Sequence, residues 1–169
     1  MKIWENVSFK LLNERVTQAC LDLIKAERSN QVINTNLISK VIQSYVALSF
    51  SQDTTQLLIY KDSFEAQFLR DTEQFYIFEA ATFLQHNTIT EYLRKFFQRL
   101  DEEVHRVQSY LHPSTLQPLI KIVEDVLVHD QLDMFYKESK ILLRDNNYQG
   151  RKYLQISRFI IHFFSNRFD

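Results

Sequence analysis

The chain has 169 residues, of which 45% are hydrophobic and 24% are charged, and its formal net charge is −1. These values exclude disorder, and the length suits one domain or a few units of a repeat. The near-neutral net charge gives no excess of positive charge that would attract nucleic acid or an anionic membrane. We therefore expect partners recognised by shape and local contacts. The apolar stretch 159–164 is far shorter than the roughly 20 residues that cross a bilayer. A single cysteine cannot form an internal disulfide, which favours a cytoplasmic or nuclear setting.

Turn-forming residues are scarce, since the chain contains one glycine and two prolines. Strand-rich folds need such residues in frequent turns, and doubly wound folds need glycines after their strands. The sequence therefore predicts an all-α fold of long helices. Its fourteen phenylalanines and eight tyrosines indicate wide helix–helix contacts that are filled by aromatic rings.

The first two predicted helices form a hairpin. Apolar residues spaced three and four apart predict a helix over about residues 2–27, which ends at the polar stretch 28–31. Asn34 or Thr35 can cap the second helix because their side-chain oxygens accept from free backbone N–H groups. The short polar connection between the helices predicts that they pack against each other.

A third, longer helix begins after the polar break at 51–54 and extends to about residue 85. Aromatic stripes at helical spacing usually belong to a protein core, so we predict core positions here rather than a platform for a cofactor or a base. These positions are Phe64, Phe68, Phe75, Tyr76 and Phe83.

The fourth predicted helix starts at a cap formed by Thr88 or Thr90 and ends near residue 111. Its middle is highly charged, and we expect the charged residues to lie on and around the solvent side, where helical ion pairs contribute little. The charged residues are Asp101, Glu102, Glu103, His105 and Arg106.

Pro113 marks the clearest boundary in the sequence, because a proline restricts the residue before it. Thr115 is the predicted cap of a fifth helix over 116–143. With that cap, Pro118 takes the third helical position, whose N–H has no intrahelical acceptor. A last segment, 148–168, is apolar on both sides.

The sequence predicts no active site. One glycine cannot build a glycine-rich phosphate loop, which excludes nucleotide binding by the common loops. Cys20 lies on an apolar helical stripe, so we interpret it as a small core residue rather than a nucleophile.

A metal site is also disfavoured. His105, His112 and His129 lack the close spacing of metal ligands, although Glu102, Glu103, Asp125 and Asp133 lie near them in sequence. The adjacent carboxylates 101–103 point in different directions on a helix, so we interpret them as a solvated face rather than an acid–base pair. The sequence predicts no catalytic, cofactor-binding or metal-binding residue, no cofactor and no enzyme activity.

Two segments, 34–46 and 60–76, resemble the second helical repeat of the cullins, most closely that of the cullin in SCF (Skp–cullin–F-box) ubiquitin ligases. The resemblance covers about residues 4–146 and, more weakly, 150–158. Further motifs follow in the family's order: FLQ at 83–85, TEYLR at 90–94, RLDEE at 99–103, RVQSYLHPST at 106–115 and VLVHDQL at 126–132.

The resemblance implies an elongated stack of long antiparallel helices, a helical solenoid. Residues 1–112 correspond to the second cullin repeat, and residues 113–169 continue into the next repeat, with divergence after about residue 159. A fragment or truncated product of this kind is expected to act as a rigid, non-catalytic scaffold segment of a cullin–RING E3 ligase in ubiquitin-dependent protein degradation. The alternative is a free-standing interaction module that binds or competes with cullin regulators without forming a ligase.

The expected partners are proteins, either ubiquitin-ligase subunits or cullin regulators, with no nucleic acid and no membrane. The family's adaptor-binding and RING-box-binding regions lie outside the matched segment. The resemblance therefore assigns no functional residue to this chain.

Overall fold

The computed structural model describes residues 2–50 and 57–127, which contain helices and no strand. The all-α prediction is confirmed. The predicted helix over 116–143 is described only to residue 127, and the segment 148–168 lies outside the described residues. The α-helices are α1 Lys2–Arg28, α2 Thr35–Phe50, α3 Leu58–Tyr60, α4 Ala66–Leu84, α5 Ile89–Tyr110 and α6 Leu116–Leu127.

The end of α1 is fixed by its backbone. Asn30 has a left-handed φ of 63°, a conformation that asparagine tolerates better than most residues. The N–H groups of Asn30 and Gln31 donate to the carbonyls of Glu27 and Ala26, at 2.8 and 3.0 Å. These two bonds close the helix. The predicted break is confirmed at 29–31, whereas Arg28, which the sequence places in the break, is the last helical residue.

A continuous long helix is formed by α3, a π-helical segment Lys61–Glu65 and α4. The sequence predicts one helix here, but it does not predict the π-helical segment. The Thr17 hydroxyl of α1 donates to the Ser63 carbonyl at 2.8 Å and also bonds to the Tyr45 hydroxyl of α2 at 3.0 Å. The first hairpin is therefore joined to the long helix at the π-helical segment.

Thr88 caps α5, as one of the two predicted alternatives. Its hydroxyl accepts from the Glu91 N–H at 3.4 Å, and its own N–H donates to the Glu91 carboxylate at 2.8 Å. This reciprocal pair satisfies two backbone donors that have no partner within the helix. The other candidate cap, Thr90, lies inside α5.

The predicted position of Thr115 is confirmed, since α6 begins at Leu116 and Pro118 is its third residue, but the Thr115 side chain makes tertiary hydrogen bonds rather than a capping bond. His112 has extended backbone angles, as expected before a proline, and its side chain accepts from the Ser114 N–H at the start of a 3₁₀ turn, Pro113–Thr115. Thr115 is fully buried, and its hydroxyl bonds to side chains of the long helix. Tertiary contacts have replaced the local capping role.

The aromatic stripe of the long helix forms the centre of the core, as predicted. Tyr60, Phe64, Phe68 and Tyr76 are buried, and the Phe64 and Phe68 rings stack with their centroids 5.7 Å apart. Phe75 and Phe83, which the sequence also assigns to the core, are half-buried and pack against it. Across these described ranges, no helix is long and apolar enough to cross a membrane.

Candidate functional site

The most unusual feature of the fold is a carboxylate in its interior. Glu103 lies in the middle of α5 and has no exposed surface. Arg28 reaches it from the end of α1 with two hydrogen bonds, from Nε to Oε1 at 2.9 Å and from Nη2 to Oε2 at 3.2 Å. Tyr76 of α4 donates to Oε1 at 2.6 Å. One buried carboxylate therefore joins three helices.

Arg106 is the second cation at this carboxylate. It lies one turn after Glu103 on α5, and its Nη1 is 2.6 Å from Glu103 Oε1. That contact is an ion pair without hydrogen-bond geometry. The Arg106 Nε donates to Glu27 of α1 at 2.8 Å, and Tyr110 donates to the same Glu27 oxygen at 2.6 Å. We call Glu27, Arg28, Thr72, Tyr76, Glu103, Arg106 and Tyr110 the buried ionic network.

Arg28 also packs against aromatic rings of α4. Its guanidinium carbon lies 5.5 Å from the ring centre of Phe68 and 5.3 Å from that of Phe75, within the range of a cation–π contact. Its Nη2 donates to Thr72 at 2.7 Å. The cation is thereby satisfied on its edge by oxygens and on its faces by rings, which explains how a buried arginine is accommodated at the end of a helix.

The electrostatics keep Glu103 charged. Burial by itself raises the pKa of Glu103, but the charges of Arg28 and Arg106, with the hydrogen bonds from Arg28 and Tyr76, outweigh it and lower that pKa below its usual value. Burial and the Glu103 charge raise the pKa of Tyr76, so Tyr76 remains a hydrogen-bond donor. The network is therefore a fixed set of charges rather than a proton-transfer site.

The sequence predicts that the charged residues of α5 from 101 to 106 lie on and around the solvent side, and for Glu103 and Arg106 that prediction is wrong because both are buried. Asp101 is exposed, and Glu102 is half-buried in an ion pair with Arg99. Spacing could have revealed Glu103, because it follows the stripe residue Phe96 by seven positions and precedes Val107 by four. Arg28 is not predictable in this way, because its partner Glu103 lies on another helix.

The other candidate residues of the sequence do not converge on one site. Cys20 is buried in the core, as predicted, and burial raises the pKa of its thiol. His105 is exposed, and its Nε2 lies 3.3 Å from the Ser109 hydroxyl. His112 caps the 3₁₀ turn. His129 and Asp133 lie outside the described residues, and within the described ranges no three His, Cys, Asp or Glu side chains form a metal-binding group.

A second polar cluster joins the long helix to the start of α6. The His112 N–H donates to the Tyr60 hydroxyl at 3.4 Å, Tyr60 lies 2.6 Å from the Thr115 hydroxyl, and Thr115 donates to Glu65 at 2.5 Å. Because the Thr115 hydroxyl donates its hydrogen bond to Glu65, Tyr60 is the donor to Thr115. Burial raises the pKa of Tyr60 to about 12, so this chain of hydrogen bonds keeps its protons at neutral pH.

Comparison with known proteins gives consistent matches. The family model described as "Cullin alpha solenoid domain" matches residues 1–163. The chain is 38% identical over 161 residues to Cullin-1 of Dictyostelium discoideum, covering 92% of this chain and 21% of that protein. It is 37% identical over 153 residues to Cullin-1 of Caenorhabditis elegans, covering 85% and 20%, and 32% identical over 141 residues to Cullin-4A of Homo sapiens, covering 83% and 17%. The chain spans about a fifth of the length of these relatives.

Proposed function

This chain belongs to the cullin family, and from that membership we propose that it is a non-catalytic scaffold segment of an SCF-type cullin–RING E3 ubiquitin ligase. In that setting it acts as a rigid helical spacer in ubiquitin-dependent protein degradation, in the cytoplasm, the nucleus or both. Residues 1–112 form one cullin repeat and residues 113–169 continue into the next. Its partners are proteins, and the adaptor-binding and RING-box-binding surfaces belong to other parts of a full cullin.

The buried ionic network is the observation that carries this proposal. Its central carboxylate, Glu103, has no exposed surface, and Arg28 and Arg106 keep only about 4% of theirs. A catalytic carboxylate must reach a substrate, whereas a spacer needs its helices held at fixed positions. The network holds α1, α4 and α5 together through hydrogen bonds to Glu103 and through the contact of Arg28 with an aromatic ring.

Rigidity can be measured directly across the two polar clusters. In a Cys20→Ala background, spin labels at Lys25→Cys of α1 and Lys121→Cys of α6 report the distance between two exposed sites. We expect one narrow distance distribution for the native network and a broader one for Glu103→Ala. A broad or multiple distribution in the native network would contradict the spacer role.

The ligase context needs a separate test. A chimera in which this chain replaces the matched segment of a full-length SCF-type cullin should support ubiquitin transfer when it is assembled with adaptor and RING-box subunits. The same chimera with Glu103→Ala should transfer less ubiquitin while still binding both subunits. If the native chimera assembled but gave no transfer, this chain would not be a functional spacer.

The second candidate function is a free-standing interaction module, and an open groove beside α1 favours it, with Phe78 of α4 75% exposed at the groove. A pull-down with the isolated chain separates the two functions. Recovery of adaptor or RING-box protein by this chain alone would contradict the proposal that the adaptor-binding and RING-box-binding surfaces belong to other parts of a full cullin. Recovery of a stable cullin regulator instead would favour the module.

A further inference from the structure

A groove of about 570 Å³ lies between α1 and α4. The two helices are joined where Arg28 donates to Thr72, and α1 also bonds to the π-helical segment through Thr17. Residues 18–29 of α1 and 68–78 of α4 provide the two walls. Arg28 of the buried ionic network is among the residues that line the groove.

The dimensions of the groove suit a helix. Its walls extend over eleven and ten residue steps, which correspond to about 16 and 15 Å at 1.5 Å per residue. That length matches about three turns of an α-helix, which would present apolar residues spaced three and four apart. The accessible apolar surface comes from Phe75, which is half-buried, and from Phe78, which leaves 75% of its surface exposed, whereas Leu21 and Phe68 line the groove but are buried.

The exposed charges at the groove favour a positively charged ligand. Asp22 on α1 and Asp71 on α4 are both exposed and lie on opposite walls. Lys25 is the exposed cation among the lining residues, because Arg28 is buried and paired with Glu103. An occupant with basic residues on both flanks of an apolar stripe would meet one carboxylate on each side.

We infer that this groove is a docking site for an amphipathic helix of a partner protein, with an apolar stripe flanked on both sides by Lys or Arg. The stripe packs against Phe75 and Phe78, and the flanking cations pair with Asp22 and Asp71. This inference goes beyond the spacer role, which does not use the groove. Failure of helix binding would leave the spacer measurements unaffected.

The test uses the full chain and a fluorescent stapled peptide of about 14 residues, with leucines spaced three and four apart and lysines on both flanks. Anisotropy measures its affinity. We expect saturable binding that weakens at least about tenfold in Phe78→Ala and in Asp71→Lys, because each change removes a central contact. A peptide with glutamates in place of the lysines should bind at least about tenfold more weakly.

Matched variants control for general effects of truncation and charge. Phe97→Ala removes another exposed phenylalanine, and Glu73→Lys reverses another exposed carboxylate of α4; neither residue lines the groove. Both variants should bind the lysine peptide with native affinity. Absence of saturable binding, equal affinity for both peptides, or equal effects of Phe78→Ala and Phe97→Ala would each overturn the inference.

Other occupants are distinguished by a photo-crosslinking residue at position 78 in the absence of peptide. A crosslink within one chain would show that another segment of this chain fills the groove. A crosslink between two chains would show that a second copy fills it. Either result overturns the inference, whereas peptide-dependent crosslinking to the lysine peptide supports it.

Discussion

Glu103 and Arg28 lie 75 positions apart in the sequence, yet both oxygens of the Glu103 carboxylate accept hydrogen bonds from the Arg28 guanidinium. The side chains of both residues have at most 3% of their surface exposed. Removing one member of such a pair costs more than the pair itself contributes, because the other charge is left buried without compensation. This asymmetry makes the pair a sensitive point for testing the fold.

Glu103→Ala is expected to lower the free energy of unfolding by about 3–5 kcal/mol, because Arg28 and Arg106 both lose their buried counter-charge. Asp101→Ala removes an exposed carboxylate two positions away and should change stability by no more than about 0.5 kcal/mol. Urea denaturation of both variants provides the measurement. Equal midpoints would show that burial of Glu103 does not matter.

Acid should weaken the contribution of Glu103. Its pKa is lowered in the folded chain, whereas an unfolded glutamate titrates near about 4.3. The stabilisation is therefore present above about pH 4.3 and is lost as the pH falls through the lower, folded-state pKa. Urea titrations should show that the stability difference between native chain and Glu103→Gln is largest near neutral pH and shrinks in acid. A pH-independent Glu103 difference would contradict the linkage.

Thr115→Asp distinguishes a local cap from a tertiary contact. Aspartate is a good helix cap, so a capping role predicts little change in stability. In the structure the new carboxylate would be buried beside Glu65 and Tyr60, and we expect a loss of at least about 3 kcal/mol. Thr115→Ser keeps the hydroxyl and should cost only about 1 kcal/mol. Thermal or urea unfolding checks both variants, and a stable Thr115→Asp chain would restore the capping interpretation.

Cys20 should react slowly with thiol reagents in the folded chain. Its side chain is buried and burial raises the pKa of the thiol, so modification requires local opening. The matched control is Cys20→Ala with Ala19→Cys, which places the sole cysteine at an exposed neighbouring position. We expect the control to react at least about 100-fold faster in buffer and at a similar rate in urea. Similar rates in buffer would contradict the core position.

The sequence by itself determined the helical class, the main helix boundaries and the aromatic core. These features depend on local properties of the sequence. They are the scarcity of glycine and proline, the three-and-four spacing of apolar residues, and caps such as Thr88 with Glu91. Its resemblance to the cullins also identified the family. Cys20 was assigned to the core for the same local reason, because its neighbours place it on an apolar stripe.

Only the tertiary structure decided which polar residues are buried. Glu103 is buried because Arg28 and Tyr76 from two other helices and Arg106 from its own helix satisfy it. Thr115 is a buried donor because Glu65 lies beside it. Burial of a polar group depends on whether a partner is available, and those partners are up to 75 residues away in sequence. Local periodicity assigns a charged residue to solvent by default, whereas the packing of separate helices can supply the partner that allows burial.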